Sequence, residues 1–424
     1  MTKHVAFIGL GYIGLPTAVV MANSGLNVTG VDVMKEKVEL INRGEVTIVE
    51  PGLESELKRA LKSGRFKAST EVPVADVYIV AVPTPFADSY EVDMRFIYSA
   101  AEAIAPKLQE DALVILESTS PPQTTEKMAR RIIELRPDLT PSTETNTNAK
   151  GTIFFAHCPE RILPGKAMEE LRTNDRIIGG MSPEATERAK AIYASFCKGE
   201  LLGTNDKTAE MAKLTENSFR DVNIAFANEL SLICDGLGIN VWELIELANH
   251  HPRVNILQPG PGVGGHCIAV DPWFIVSSAP ETARLIKTAR EVNDQKPNWV
   301  VQQIEDAAKS RGTNTIGILG LAFKANIDDL RESPALEIAI SIAERFKEFQ
   351  ILVAEPNVSE LPESLGRHSN VQLTNLDDIL HRCEVLALLV DHNEFRHVTE
   401  AEIAGKKVID TRGAWPTQPA NGTA

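Results

Sequence analysis

The sequence predicts an α/β protein: a parallel sheet covered by helices on both faces, a helical middle, and a second, smaller α/β sheet. Three observations predict it. Short apolar runs alternate with helical stretches over residues 1–205. Residues 206–300 hold no strand-like run of comparable strength. From residue 313 the alternation returns. Strand–helix alternation favours parallel pairing, because a parallel crossover needs about the length of a helix and lays that helix over the sheet. A chain of 424 residues is long enough for two or three domains with sizeable cores.

The elements follow in order. "HVAFIGLG" reads as a β-rich run ending in glycine, and "PTAVVMANSG" as a helix with a glycine stop. Residues 5–22 carry no charge and by hydropathy alone resemble a leader or a membrane span. The glycine and proline breaks inside the run argue for strand–turn–helix instead. "NVTGVDV", "DVYIVAVP", "ALVILEST" and "TIFFAHCPE" read as buried strands. The polar "PSTETNTNAKG" (141–151) reads as a surface loop. "TAEMAKLTENSFRDVNIAFANELSLICDGLG" is one long helical pattern closed by glycine, and "VWELIELANHH" is a second. "TIGILGLAF", "ALEIAISIAERF", "QILVAEP", "VLALLVDH" and "KKVIDTRG" form the last α/β section. The expected domains are 1–205, 206–300 and 301–415, with 416–424 a disordered tail.

Composition excludes several classes. Apolar residues make up 43% and charged residues 24%, as in ordinary soluble proteins. The net charge of −15 argues against nucleic-acid and acidic-membrane partners, both of which need a basic surface. An anionic small ligand needs only a local basic pocket. Cys158, Cys197, Cys234, Cys267 and Cys383 are scattered, with no CxxC pair. That pattern fits neither a disulfide framework nor a metal site, and it suits a reducing, cytoplasmic compartment.

"GLGYIGLP" places Gly9, Gly11 and Gly14 in a G-x-G-x-x-G pattern between a predicted strand and a predicted helix. The first glycine permits a tight turn, the second lets a pyrophosphate approach the backbone, and the third lets helix and strand pack closely. Asp32 follows the next strand, about twenty residues on, where an acid accepts hydrogen bonds from a ribose and repels a 2′-phosphate. This context predicts a Rossmann-like dinucleotide site selective for NAD over NADP. The alternative is a mononucleotide-type or purely structural β-α-β turn.

"PGPGVGGHCIAVDP" (259–272) puts Cys267 at the end of a glycine run, with Asp271 four residues later. An oxidation that stops at an aldehyde needs no thiol. One that continues to the acid does: a thiolate adds to the aldehyde, hydride leaves to give a thioester, and water releases the acid. Glycines next to the sulfur would let backbone approach a bulky ligand. A lone cysteine is more often a small buried apolar residue, and the other four are read that way.

These pieces carry a family resemblance from end to end. "GLGYIGLP", "VPTPF" (82–86), "ESTSPPQTTE" (117–126), "CPER" (158–161), "KLTENSFRDVNIAFANE" (213–229), "PGPGVGGHCIAVDP", "GLAFKANIDDLRESPA" (320–335) and "VIDTRG" (408–413) resemble the UDP-glucose/GDP-mannose dehydrogenase family. The resemblance implies a four-electron oxidation of a nucleotide-sugar C6 alcohol with two NAD per turnover. It also implies an N-terminal NAD-binding Rossmann domain, a helical dimerising middle and a C-terminal nucleotide-binding domain. It assigns Cys267 as the nucleophile. Asp271 would help activate an ordered water, Lys213 would stabilise oxyanion charge, and Asn217, one helical turn later, would bond the same oxygen. Glu160 would serve thioester hydrolysis and Thr119 would contact water and cofactor. Read without the family, Lys213 and Glu216 are a solvated helix face and Asp271 caps a turn.

The resemblance further places the cofactor against Gly9, Gly11, Tyr12, Ile13, Gly14, Asp32, Thr84, Thr119 and Arg331. It places the substrate against Glu160, Arg161, Ile162, Lys213, Asn217, Arg220, His251, Arg253, Gly264, Phe323 and Lys324. A focused cationic set of this kind reconciles an anionic ligand with an acidic chain. Arg253 is expected to complete the neighbouring subunit's site in a homodimer, the alternative being a cap on its own helix. Where UDP-glucose members usually show Phe and Ser, this chain has Val263 and His266. The stretch "NHHPRVNILQPGPGVGGHCIAVDPWF" resembles members acting on UDP-N-acetylmannosamine, which serve bacterial surface polysaccharides such as enterobacterial common antigen. UDP-N-acetylglucosamine is the alternative, differing in the direction of one acetamido group. Two readings from other classes are a catalytically inactive nucleotide-binding protein of this fold and a two-electron NADP-linked 3-hydroxyacid dehydrogenase. The second has no use for Cys267 or a second α/β domain.

Overall fold

The computed structural model describes residues 3–415 apart from 87–89, 144, 147, 148, 164 and 266. The expected disordered tail, 416–424, and His266 lie outside the described residues, as does part of the predicted 141–151 loop. The chain divides into two compact units, Met1–Glu216 and Asn217–Ala424.

The described strands of the first unit are β1 (His4–Ile8), β2 (Asn27–Val31), β3 (Phe66–Ser69), β4 (Val77–Val80), β5 (Leu113–Leu116), β6 (Thr140–Pro141), β7 (Thr152–His157), β8 (Arg176–Gly180) and β9 (Leu201–Asn205). Their order is β3-β2-β1-β4-β5-β7-β8-β9, with β6 beside β7. Both faces of the sheet are covered. Val5, Phe7, Val77, Ile79, Phe154 and Ala156 belong to one apolar core, while Ala6, Ile8, Tyr78, Val80, Ile153 and Phe155 belong to another. Successive side chains point to opposite faces, so a strand buried on both sides must be apolar at every position. That is why these strands stand out in the sequence. The turn Gly9–Ile13 separates β1 from helix α1 (Gly14–Asn23), whose residues are mostly buried in the first core. Among the described residues no helix is long and apolar enough to cross a membrane.

The sheet departs from the predicted all-parallel form at one place. β7 and β8 pair antiparallel. The connection between them holds only the seven-residue helix Ala167–Thr173, and an antiparallel return needs no full crossover. Strands β3, β8 and β9, with sequences FKAS, RIIGG and LLGTN, lack the continuous apolar run of the others and are not evident by pattern.

The long helical pattern is helix α2 (Asp206–Leu237), which begins in the first unit and continues into the second. Gly238, at φ 69°, follows its last turn. In the second unit come α3 (Val241–Asn249), α4 (Asp271–Ser278), α5 (Arg284–Arg311), β10 (Thr315–Leu319), α6 (Pro334–Arg345), β11 (Gln350–Ala354), β12 (Val371–Leu373), β13 (Val385–Leu388) and β14 (Lys407–Asp410). Helix α5 runs on through residue 300, and its Val300, Val301 and Ile304 pack in the core of the C-terminal sheet. That sheet is parallel throughout, in the order β12-β11-β10-β13-β14. The plan matches β3-β2-β1-β4-β5 of the first unit. The match extends to the turns: Gly9 (φ 95°) donates to the carbonyl of Val31, and Gly320 (φ 89°) to that of Ala354.

Candidate active site

In the first unit, the loops after β1, β4 and β5 open at the C-terminal edge of adjacent strands, where ligands of open α/β sheets bind. Gly9 cannot be replaced, since an added Cβ would lie 2.2 Å from the carbonyl oxygen of Ala81. A Cβ on Gly14 would lie 1.9 Å from the carbonyl oxygen of Gly9. Gly11 is different: nothing lies within 4 Å of the Cβ it lacks, so its backbone is open to a ligand. Tyr12 and Ile13 are exposed on the same turn, and the Tyr12 hydroxyl donates to Glu50 at 3.1 Å. Thr84 donates to the Thr119 carbonyl at 2.8 Å, which ties the loops after β4 and β5 together. Asp32 accepts from the amides of Leu10 (3.2 Å) and Met34 (3.0 Å) and from Lys37 Nζ (2.9 Å). Burial works against its charge, but these donors outweigh it and hold the carboxyl below the ordinary range. An open glycine cradle with an ionised acid after β2 fits a dinucleotide.

Glu160 is buried, and its carboxylate accepts from Arg176 Nη2 at 3.1 Å and from the Arg161 amide at 2.7 Å. Sequence reasoning missed what lies behind it. Arg176, at the start of β8, is buried between two carboxylates, with Glu117 Oε1 at 3.9 Å on its other side. Tyr193 donates to Glu117 at 2.9 Å. Burial and the neighbouring Glu160 push Glu117 up to about 8, so it holds its proton at neutral pH. The neighbouring Cys158 thiol is pushed by burial to about 12 and is inert.

In the second unit, Cys267 is exposed, whereas Cys158, Cys197, Cys234 and Cys383 are buried. Its carbonyl accepts from the amides of Val270 (3.1 Å) and Asp271 (2.9 Å), a turn that leads directly into α4. Asp271 is buried and accepts from Asn217 Nδ2 at 2.6 Å. Lys213 is half-buried one turn earlier on α2. The glycines before the thiol meet protein. A Cβ on Gly264 would lie 2.3 Å from the Glu332 carbonyl oxygen, and one on Gly262 2.9 Å from Pro334. One on Gly265 would lie 3.3 Å from Phe323. The run therefore seats the cysteine loop on segment 323–334, the reverse of the ligand clearance expected from sequence.

The candidate cations divide into two groups. Arg161 pairs with Glu216 at 2.7 Å, and Arg331 pairs with Asp329 at 2.5 Å. Arg220, His251, Arg253 and Lys324 are exposed, and the Arg253 amide donates to His251 Nδ1 at 3.3 Å. Ile162 packs against the first core. Among the described residues no group of three or more His, Cys, Asp or Glu side chains is placed to hold a metal.

The first unit holds the strand–glycine–acid cradle of a dinucleotide-binding protein, and the second presents Cys267 four residues before the buried Asp271. The chain belongs to the UDP-glucose/GDP-mannose dehydrogenase family: the NAD binding domain matches residues 3–197, the central domain 207–295 and the UDP binding domain 317–417. It is 54% identical over 419 residues to the UDP-N-acetyl-D-mannosamine dehydrogenase of Escherichia coli K12, covering 97% of this chain and 99% of that one. It is 52% identical over 413 residues to the NDP-N-acetyl-D-galactosaminuronic acid dehydrogenase of Ralstonia nicotianae, covering 97% and 96%. A solved UDP-D-ManNAc dehydrogenase from Pyrococcus horikoshii has the same fold, with a TM-score of 0.83 at 37% identity over 99% of this chain and 97% of that one. The cofactor is NAD and the enzyme an oxidoreductase acting on a UDP-sugar.

Proposed function

We propose that the chain is a UDP-N-acetyl-D-mannosamine 6-dehydrogenase, which oxidises the sugar's C6 alcohol to the carboxylate while two NAD are reduced. One observation carries the chemistry: Cys267 alone among the cysteines is exposed, one turn before the buried Asn217–Asp271 pair. The 54% identity to a mannosamine enzyme supports the sugar. Bound NAD supplies a hydride acceptor at each of two oxidations. Asp271, through an ordered water, takes the alcohol proton, and Lys213 with Asn217 balances charge on the oxygen. The Cys267 thiol adds across the C6 carbonyl: the C–S bond forms as the C=O π bond opens, and the oxygen takes a proton to give a thiohemiacetal. Loss of hydride from C6 to the nicotinamide acceptor and of the hydroxyl proton to the same water and Asp271 leaves a thioester. Water then adds at C6, assisted by Glu160, and the C–S bond breaks to return the thiol and release the acid. Thr119, tied to Thr84 beside the glycine cradle, contacts cofactor and water.

Arg220, Arg253 and Lys324 are exposed cations available to a diphosphate, with His251 exposed beside Arg253 as a further polar contact. Gly264, through the backbone not packed on segment 323–334, and Phe323 are the proposed substrate contacts at the cysteine loop. A homodimer is supported by α2, which exposes Phe219 (68%), Phe226 (52%) and Ile233 (49%) at seven-residue spacing along one face. The division into 1–205, 206–300 and 301–415 follows the sequence patterns and is part of this reading. A reducing cytoplasm suits five scattered cysteines with no CxxC pair, and we place no nucleic acid or membrane among the partners. The 52% relative supports a second reading, an N-acetylgalactosamine-type sugar. NADH formation with UDP-N-acetylmannosamine, UDP-N-acetylglucosamine, UDP-N-acetylgalactosamine and UDP-glucose decides. The mannosamine sugar should give the highest kcat/KM and two NADH per uronate. Cys267→Ala should bind NAD and sugar yet form no uronate. A ratio of one NADH, or full activity in Cys267→Ala, removes the thioester route.

A further inference from the structure

The loop that carries Cys267 hangs from helix α2 by amide side chains to which the proposed chemistry gives no role. Asn223 Oδ1 accepts from the Leu257 amide at 3.0 Å, and Asn228 Oδ1 accepts from the Gly260 amide at 2.9 Å. Asn228 is fully buried and continues inward: its Nδ2 donates to Asn293 Oδ1 at 2.9 Å. Asn293 Nδ2 donates in turn to Asp221 Oδ1 at 2.8 Å. Arg290 Nη1 holds that same oxygen at 2.6 Å, and its Nη2 pairs with Asp294. Asp221, Asn293 and Arg290 are all buried.

The sense of this chain is fixed from both ends. A carboxylate only accepts, so Asn293 must turn its NH2 to Asp221 and its carbonyl to Asn228. A backbone N–H only donates, so Asn228 must turn its carbonyl to Gly260 and its NH2 to Asn293. The two requirements agree, and no bond in the relay is frustrated. A buried ion pair adds little net stability, but removing one buried partner is costly. The Arg290–Asp221 pair thus serves better as a fixed origin for the relay than as a source of stability.

Building on the reading of Cys267 as nucleophile, we propose that Asn228 and Asn293 are positioning residues: they transmit the fixed polarity of the Asp221–Arg290 pair to the Gly260 amide and so set where the cysteine loop holds its thiol. Gly260 begins the run that meets segment 323–334 and ends at Cys267, with Asn217 fixing Asp271 on the far side. A displacement of about 1 Å at a reacting group can cost up to a hundredfold in rate.

The test is Asn228→Leu, which keeps the branching of the side chain but removes both of its hydrogen bonds, alongside Asn228→Asp. The first readout is the iodoacetamide alkylation rate at Cys267, followed by peptide mass in full-length protein without NAD or sugar. The second is kcat with UDP-N-acetylmannosamine. Asn228→Leu should alkylate at least about threefold faster and lose about tenfold or more in kcat, with the NAD dissociation constant unchanged. Asn228→Asp still accepts from Gly260 but faces Asn293 with an acceptor. Protonation returns the missing donor, so its alkylation rate relative to the unmutated protein should approach one as pH falls. A folded Asn228→Leu with both rates within twofold of the unmutated protein overturns the relay. If that variant does not fold, an Asn228→Asp rate ratio independent of pH overturns it. Altered alkylation in a protein that forms no NADH with any UDP-sugar would sustain the relay and sink the dehydrogenase reading.

Discussion

Asp32 does not stand alone after β2. Lys37 Nζ sits 2.9 Å from its carboxylate, and both side chains are largely shielded. The acid we propose to favour NAD therefore also restrains a cation, Lys37, beyond the end of β2. Removing the acid should release that cation, so Asp32→Ala should raise the KM for NAD about tenfold, as expected for a lost charged hydrogen bond, and lower that for NADP. Unchanged NAD/NADP preference in the variant would refute the assignment. Glu117 gives a second test. Its folded pKa of about 8 lies above its ordinary value, so between about pH 4.5 and 8 the unfolded chain binds fewer protons at this group. Its contribution to stability must then fall as pH rises through that window. Glu117→Gln mimics the protonated acid, so its urea midpoint should gain on the unmutated protein from pH 5 to pH 8.5. A constant difference between the two proteins would show that Glu117 is already ionised. Glu160 was legible only through the family motif, and its pairing with Arg176 and Glu117 was not legible at all. Glu117, Glu160 and Arg176 come from three separate segments, and only the sheet brings them together. Asn217 and Asp271 were legible only through the family motifs, because no local spacing connects a helix to a loop 54 residues on.

At the scale of elements, the strands that could be read were, apart from half-buried β14, those buried on both faces, where physics forces an uninterrupted apolar run. Short β3 and β9, and β8 with its leading arginine, carry no such run. The antiparallel entry into β8 was not legible, because the 18 residues between β7 and β8 are long enough for either direction. The glycines before Cys267 were correctly read as marking close approach, but the approaching group was assigned to a ligand. Segment 323–334 occupies that position, and its distance along the chain hid it. Gly264→Ala should accordingly destabilise the second unit by about 1–3 kcal/mol through overpacking against the Glu332 carbonyl and Pro334. Denaturation followed at the cysteine loop, with kcat measured on the folded fraction, checks this. An Ala variant of unaltered stability would return the glycine to the ligand's side.

For the whole molecule, the proposed assembly can be tested by complementation. Arg253→Ala and Cys267→Ala should each be inactive. If Arg253 serves the neighbouring subunit, mixing them with subunit exchange gives dimers with one site lacking both groups and one intact. Each mixed dimer should then show about half the activity of an unmutated dimer. No recovery after verified exchange would place Arg253 in its own subunit's site.

The twin sheets carry a different lesson. The first reads Gly-Leu-Gly-Tyr-Ile-Gly after β1, and the second reads Gly-Leu-Ala-Phe-Lys-Ala after β10. Ala322 stands where Gly11 leaves the backbone open. Glu355, the acid after β11, is taken up by the amides of Leu321 (2.7 Å) and Ala322 (3.1 Å) and by His392 Nε2 (3.0 Å). Burial opposes its charge, but these donors hold it down at about 2. One plan used twice thus yields a single dinucleotide berth per chain, and equilibrium dialysis should count one NAD per subunit. Each sugar needs two. On the proposed thioester route the berth empties and refills midway, while the half-oxidised sugar waits on the thiol. In a rapid-mixing trace the first NADH per subunit should appear as a burst, and the second only after the first has left. Excess NADH should then stall the enzyme between its two oxidations, with carbon still attached to Cys267.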